Sequence, residues 1–155
     1  MSILIRPATR ADLLKIDAMF HEFSDYLHAI ADPEIVTENA MERIAELAFG
    51  SEPLCRILIA EHGSEVAGYL TYAIMANMEE LAPALHVLDF FVRAAHRRRG
   101  IGRALMQEAR CIAEAANATR LFWQVWRRNP EAIRFYEKLG AELERENLSM
   151  LWKIR

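Results

Sequence analysis

Apolar positions along the chain change their spacing several times, and each change marks an element. Leu13, Ile16, Phe20, Phe23 and Leu27 recur at intervals of three and four, which predicts an amphipathic helix running to about His28. Ile3 to Arg6 reads as a short strand before it, and Thr9 followed three residues later by Asp12 is a helix start of capping-box type. Asp32-Pro33 breaks the helix, and a second one opens near Thr37, turns Met41, Ile44, Leu47 and Ala48 inward and stops at Gly50. Leu54 to Glu61 and Glu65 to Met75 are β-rich runs joined by His62-Gly63-Ser64, a hairpin signal.

Leu85 to Val92 is apolar except at His86 and Asp89, so it reads as a mid-sheet strand buried on both faces. From Gly100 the pattern shifts to Ile101, Leu105, Ala109, Ile112 and Ala116, a helix over residues 101 to 117. Leu121 to Trp126 predicts another buried strand, and Asn129-Pro130 opens a helix that ends at Gly140. Leu143 to Glu144 and Leu148 to Ile154 suggest a closing hairpin around Glu146-Asn147. The order β-α-α-β-β-β-α-β-α-β-β makes an α/β or α+β domain, a sheet with helices on both faces. With no repeat, linker or low-complexity stretch, the 155 residues are expected to form one domain, 1–155.

Composition narrows the partners. A hydrophobic fraction of 53% and a charged fraction of 26% are those of an ordinary globule. No apolar run reaches the ~18 residues needed to cross a bilayer, and the start of the chain has no charged-then-apolar signal region, so no membrane partner and a cytoplasmic location are expected. A net charge of −3 argues against nucleic acid as a partner, including through the local run His96-Arg97-Arg98-Arg99. Cys55 and Cys111 lie in apolar surroundings without a second Cys or His at ligand spacing, which predicts reduced packing residues and no metal. His96 is expected to be a solvated neighbour of the basic run.

The junction of strand, basic loop and helix carries the candidate chemistry. The first turn of a helix leaves backbone N–H groups unpaired and carries the positive end of the macrodipole. Gly100 and Gly102 lack a Cβ and allow close approach, while Arg97, Arg98, Arg99 and Arg103 add charged donors. The ligand this predicts is a phosphate or pyrophosphate; a tight turn needing glycine for its own sake is the structural alternative.

Arg97-x-x-Gly100-x-Gly102 resembles the acetyl-CoA pyrophosphate loop of the GNAT superfamily of N-acetyltransferases. Asn129-Pro-Glu-Ala132-Ile-Arg-Phe-Tyr136-Glu-Lys-Leu-Gly140 resembles that superfamily's other signature, and the likeness runs from Ile5-Arg-Pro-Ala-Thr to the last strand. It implies the GNAT fold, a mixed, mostly antiparallel sheet of six to seven strands whose fourth and fifth splay apart to admit the cofactor. It implies further that acetyl-CoA lies along Phe90, Phe91 and Val92, with a main-chain N–H there at the oxyanion. The pyrophosphate would sit on Arg97, Arg98, Arg99, Gly100, Ile101, Gly102 and Arg103, with Asn129 and Ala132 beside the cofactor arm.

Within that resemblance Tyr136 is the general acid that protonates the leaving sulfur; the alternative is an inward core residue beside Ala132, Ile133 and Leu139. Asn129 is equally an N-cap ahead of Pro130. Asp89, an acid in an apolar strand, needs a partner or a chemical role, and it is either the general base or one half of a structural pair. The appearance is nearest to the diamine, polyamine and thialysine acetyltransferases, which carry Glu just before this Asp where the present chain has Leu88. Glu22, Asp25, Tyr26 and His28, with Glu79 and Glu80, are candidate walls for a cationic acceptor, or else a solvated face. Trp126 packs near the thioester or fills the core. With no cysteine in either motif, direct attack of a primary amine in a ternary complex is expected, and family likeness implies a homodimer. The alternatives are acetylation of a protein lysine or N-terminus, and a coenzyme A-binding sensor without turnover.

Overall fold

The computed structural model describes residues 2–154. The chain divides into two compact units, Met1–Gln124 and Val125–Arg155. The first carries a five-stranded sheet in the order β1-β2-β3-β4-β5: β1 Ile3–Pro7, β2 Arg56–His62, β3 Glu65–Asn77, β4 Ala82–Val92 and β5 Arg120–Phe122. Strands β1 to β4 are antiparallel neighbours, and β5 joins β4 in parallel. The helices of this unit are α1 Leu13–Ile30, α2 Ala40–Phe49 and α3 Ile101–Ala115.

Side-chain alternation splits the strands between two layers. Ile57, Ile59, Tyr69 and Phe91 pack with Ile16 and Met19 of α1 and Ala48 of α2 in one buried cluster. The intervening Leu58, Ala60 and Leu70 face the other way, where α3 lies against the strands with Ile101, Leu105, Met106, Ala109 and Ala113 buried. Helices therefore cover both faces, and the central strands are apolar on both.

The helix starts follow their local signals. The Thr9 backbone N–H donates to the Asp12 carboxylate at 2.8 Å, but the box opens a 3₁₀ turn, Arg10–Asp12, before α1 begins. Arg6 bridges Asp12 at 2.9 Å and Glu61 at 2.7 Å, tying β1, the entry to α1 and β2 together. Asn39, with φ 53, opens α2 three residues later than the apolar pattern suggests.

Three expectations are corrected. Among the described residues the sheet has five strands, not six to seven. Its fifth runs from Arg120 to Phe122 where Leu121 to Trp126 was expected, because Leu88 is an extra residue in β4: Thr71 pairs with Asp89 while Tyr72 pairs with Val87. A bulge increases strand twist, and the β4–β5 ladder stops at His86 and Phe122, just before it. In the second unit, α4 spans Pro130–Glu137, and no strand occurs among the described residues beyond it. Leu148, Met150, Leu151, Trp152 and Ile154 are exposed there, so the run at 148–154 does not form the closing hairpin.

Candidate active site

A 3₁₀ turn, Ala94–His96, leads from β4 to the basic loop, which then reverses direction through two residues with left-handed backbone, Arg98 at φ 59 and Gly100 at φ 84. Gly100 is the N-cap of α3; its carbonyl accepts from the Ala104 N–H at 2.9 Å, and no side chain caps the helix. The amides of Ile101, Gly102 and Arg103 thus stand at the positive end of a 15-residue helix without a partner among the described residues. Arg98, Arg99 and Arg103 are exposed around them. This cradle of N–H groups and guanidinium groups suits a diphosphate.

Arg97 behaves differently from its neighbours. Its Nε donates to the Val92 carbonyl at 2.9 Å, and its guanidinium carbon lies 4.7 Å from the Tyr26 ring centre and 5.7 Å from that of Phe91. Phe91 belongs to the cluster under α1 and α2, so this side chain turns to the face opposite α3. Arg93, beside it, forks onto Glu22 at 2.9 and 3.2 Å and also donates to the Val66 carbonyl. Of the residues expected to wall a cationic acceptor, Glu22 is therefore neutralised by an arginine, Tyr26 is covered by another, and Asp25 is exposed.

Asp89 lies on the same face as Phe91 and receives a hydrogen bond from the Tyr69 phenol at 3.0 Å. Burial pushes its carboxyl up to about 6, with the Tyr69 hydrogen bond pulling the other way. The phenol in turn is raised well above its ordinary value by burial and by the Asp89 charge. Cys55, half-buried, has its thiol raised by burial first and then by Asp89. Phe90 and Val92 alternate with these residues and face the α3 layer.

Two further expectations, for His96 and Cys111, meet corrections. His96 is not solvated: its side chain is 12% exposed, with Nε2 3.0 Å from Glu65 and Nδ1 3.3 Å from Nδ1 of His62. Cys111 is exposed on α3 and is not a packing residue. Glu80 pairs with Arg120 at 2.5 Å. No group of three or more His, Cys, Asp and Glu arranged to hold a metal occurs among the described residues.

In the second unit Asn129 caps α4, its Oδ1 accepting from the Ala132 N–H at 3.1 Å with Pro130 at the first helical position. Tyr136 is half-buried in the last turn, its ring 5.2 Å from that of Phe135, and its carbonyl accepts from Leu139 and Ala141 as the helix ends. Gly140, at φ 91, supplies the left-handed turn that follows. Trp126 is exposed.

Tyr69 and Arg93 were not singled out by sequence reasoning. The isolated acid at Asp89 signals that a partner exists, but Tyr69 is twenty residues away and is found only through the β3–β4 register.

The model of the acetyltransferase (GNAT) family matches residues 16–141. An N-alpha-acetyltransferase from Sulfurisphaera tokodaii is 35% identical over 89 residues, covering 53% of this chain and 53% of that protein. An L-ornithine N5-acetyltransferase from Arabidopsis thaliana is 34% identical over 61 residues, covering 39% of this chain and 27% of that protein. The chain thus spans about half or less of the length of these curated relatives. Among solved structures, an integron cassette protein from the mobile metagenome of V. cholerae superposes with a TM-score of 0.84 at 27% identity, over 99% of this chain and 93% of that one.

Proposed function

The chain belongs to the acetyltransferase (GNAT) family, and on that premise we propose that it moves an acetyl group from acetyl-CoA to the primary amine of a small metabolite by direct attack. The observation that carries this reading is the first turn of α3, whose amides have no partner among the described residues and meet a loop of exposed arginines. Acetyl-CoA supplies the activated acyl group. The amides of Ile101, Gly102 and Arg103 hold its diphosphate, Arg98, Arg99 and Arg103 neutralise it, and β4 from Phe90 to Val92 aligns the arm beyond the point where β5 leaves it.

Asp89 is the general base in this proposal. With its carboxyl at about 6 it is largely ionised at neutral pH and takes the proton that the neutral amine's nitrogen sheds as it attacks the thioester. Tyr69 holds that carboxylate in place through its phenol. Tyr136 donates a proton at the leaving sulfur, and Asn129 fixes the start of the helix that carries it. The two relatives support an amine as acceptor, one being named for an N-alpha and the other for an N5 position. Release of free thiol from acetyl-CoA, followed against panels of amines and peptides, tests the reading. Turnover with a small amine supports it, and hydrolysis alone or no release with any amine refutes it.

The N-alpha relative favours a second reading, a polypeptide amine as acceptor; turnover confined to peptides would select it. Assembly as a homodimer and a cytoplasmic location complete the proposal, and light scattering at working concentrations reads the former.

A further inference from the structure

Four arginines among the described residues are half-buried: Arg6, Arg93, Arg97 and Arg120. Arg6 is paired with Asp12 and Glu61, Arg93 with Glu22, and Arg120 with Glu80. Arg97 alone of the four meets no carboxylate among the described residues. A partly desolvated cation normally finds an anion, because the lost hydration is not otherwise replaced. Stacking on Tyr26 and Phe91 offsets part of that loss. The Nε bond to the Val92 carbonyl fixes the plane and leaves both terminal amino groups as a preformed fork.

The diphosphate cradle is not the destination of this fork. Gly100, at the head of α3, faces Ile3 in the α3 layer, with 3.9 Å between an added Cβ and the Ile3 methyl. The Arg97 guanidinium lies over Phe91 in the other layer, on the face that also carries Asp89 and Tyr69. The proposed base and the unpaired guanidinium therefore share one face of β4 at its end, while the cofactor amides open on the other. Glu22 offers no counter-charge, being held by Arg93.

We propose that Arg97 binds an oxyanionic group of the acceptor, a carboxylate or a phosphate ester, so that the substrate is an amine carrying a negative charge and not a plain polyamine. This rests on the acetyltransferase reading above. Arg97 is a specificity residue: it acts on acceptor binding and leaves donor binding to the α3 amides.

Two pairs of probes separate the sources of the charge: L-lysine against cadaverine, and O-phosphoethanolamine against ethanolamine. Each is titrated calorimetrically into the full chain saturated with coenzyme A, and each is assayed for thiol release with acetyl-CoA. The expected result is at least tenfold tighter binding of the charged member in one pair, with the preference lost in Arg97→Met and partly kept in Arg97→Lys. Both variants should keep the circular dichroism of the parent and bind coenzyme A within about twofold of it. Where turnover is seen, Arg97→Met should raise KM for the charged amine more than it lowers kcat. Equal binding within both pairs overturns the inference, as does a variant that loses coenzyme A affinity while keeping the preference. A binding preference without thiol release keeps the inference and sinks the enzyme reading; release without a preference does the reverse.

Discussion

The phenol of Tyr69 donates to the carboxylate of Asp89 across 3.0 Å, from the neighbouring strand and on the same sheet face. The bond opposes the burial that raises the carboxyl, so removing it should raise the carboxyl further. A hydrogen bond to a charged group contributes about 1.5–3 kcal/mol, or roughly one to two pKa units. Tyr69→Phe should therefore move the acid limb of the kcat profile from near 6 to about 7 or above, with coenzyme A affinity unchanged. An unmoved limb would exclude Asp89 as the group titrating there.

Asp89→Asn should separate activity from stability. The folded carboxyl, at about 6, binds its proton more tightly than the unfolded one near 3.8, so its contribution to stability is full below about pH 4 and is lost as pH rises through 6. About two units correspond to roughly 3 kcal/mol of stability missing at neutral pH. Asparagine removes that pH dependence while its amide oxygen can still accept from Tyr69. The variant should unfold at higher denaturant at pH 7.5, by up to about 2 kcal/mol once the weaker neutral bond is counted, yet turn over at least 100-fold more slowly. Denaturant melts and initial rates on the same preparations decide this.

Asp12 titrates with the opposite sign. The Arg6 guanidinium, above all, holds its carboxyl well below the usual carboxylate range. Its stabilisation is present above about pH 4 and is lost as pH falls further. Asp12→Asn should cost about 2 kcal/mol at pH 7 and flatten the acid side of the stability curve. Equilibrium unfolding between pH 2.5 and 7 reads both effects.

Gly102→Glu tests the helix terminus through two effects of opposite direction. A carboxylate in the first turn of α3 opposes no acidic neighbour there and complements the helix dipole, so the melting temperature should hold or rise. The same charge repels a diphosphate, and coenzyme A affinity should fall more than tenfold. Loss of both would point instead to a misfolded loop.

Much of the frame was legible because it rests on local spacing. The apolar repeat from Ile101 marks α3, Gly50 and Asn129-Pro130 mark helix boundaries, and His62-Gly63-Ser64 marks a hairpin whose Gly63 adopts φ 68. What escaped depends on pairing between distant segments. The bulge at Leu88 follows from the β3–β4 register, and the short β5 follows from the bulge. The direction of Arg97 is set by Val92, Tyr26 and Phe91, contacts that no spacing within the basic run encodes. His96 leaves solvent because β2 and β3 bring His62 and Glu65 to it. The run at 148–154 has the residue types of a strand, yet no strand forms there among the described residues.

Titration of the ¹⁵N-labelled chain with coenzyme A, following the backbone amides one by one, tests the central claim most directly. The account predicts saturable shifts that are largest at Gly100, Ile101, Gly102 and Arg103 and small through α1 and α2. Saturable binding that leaves those four amides unmoved would contradict it.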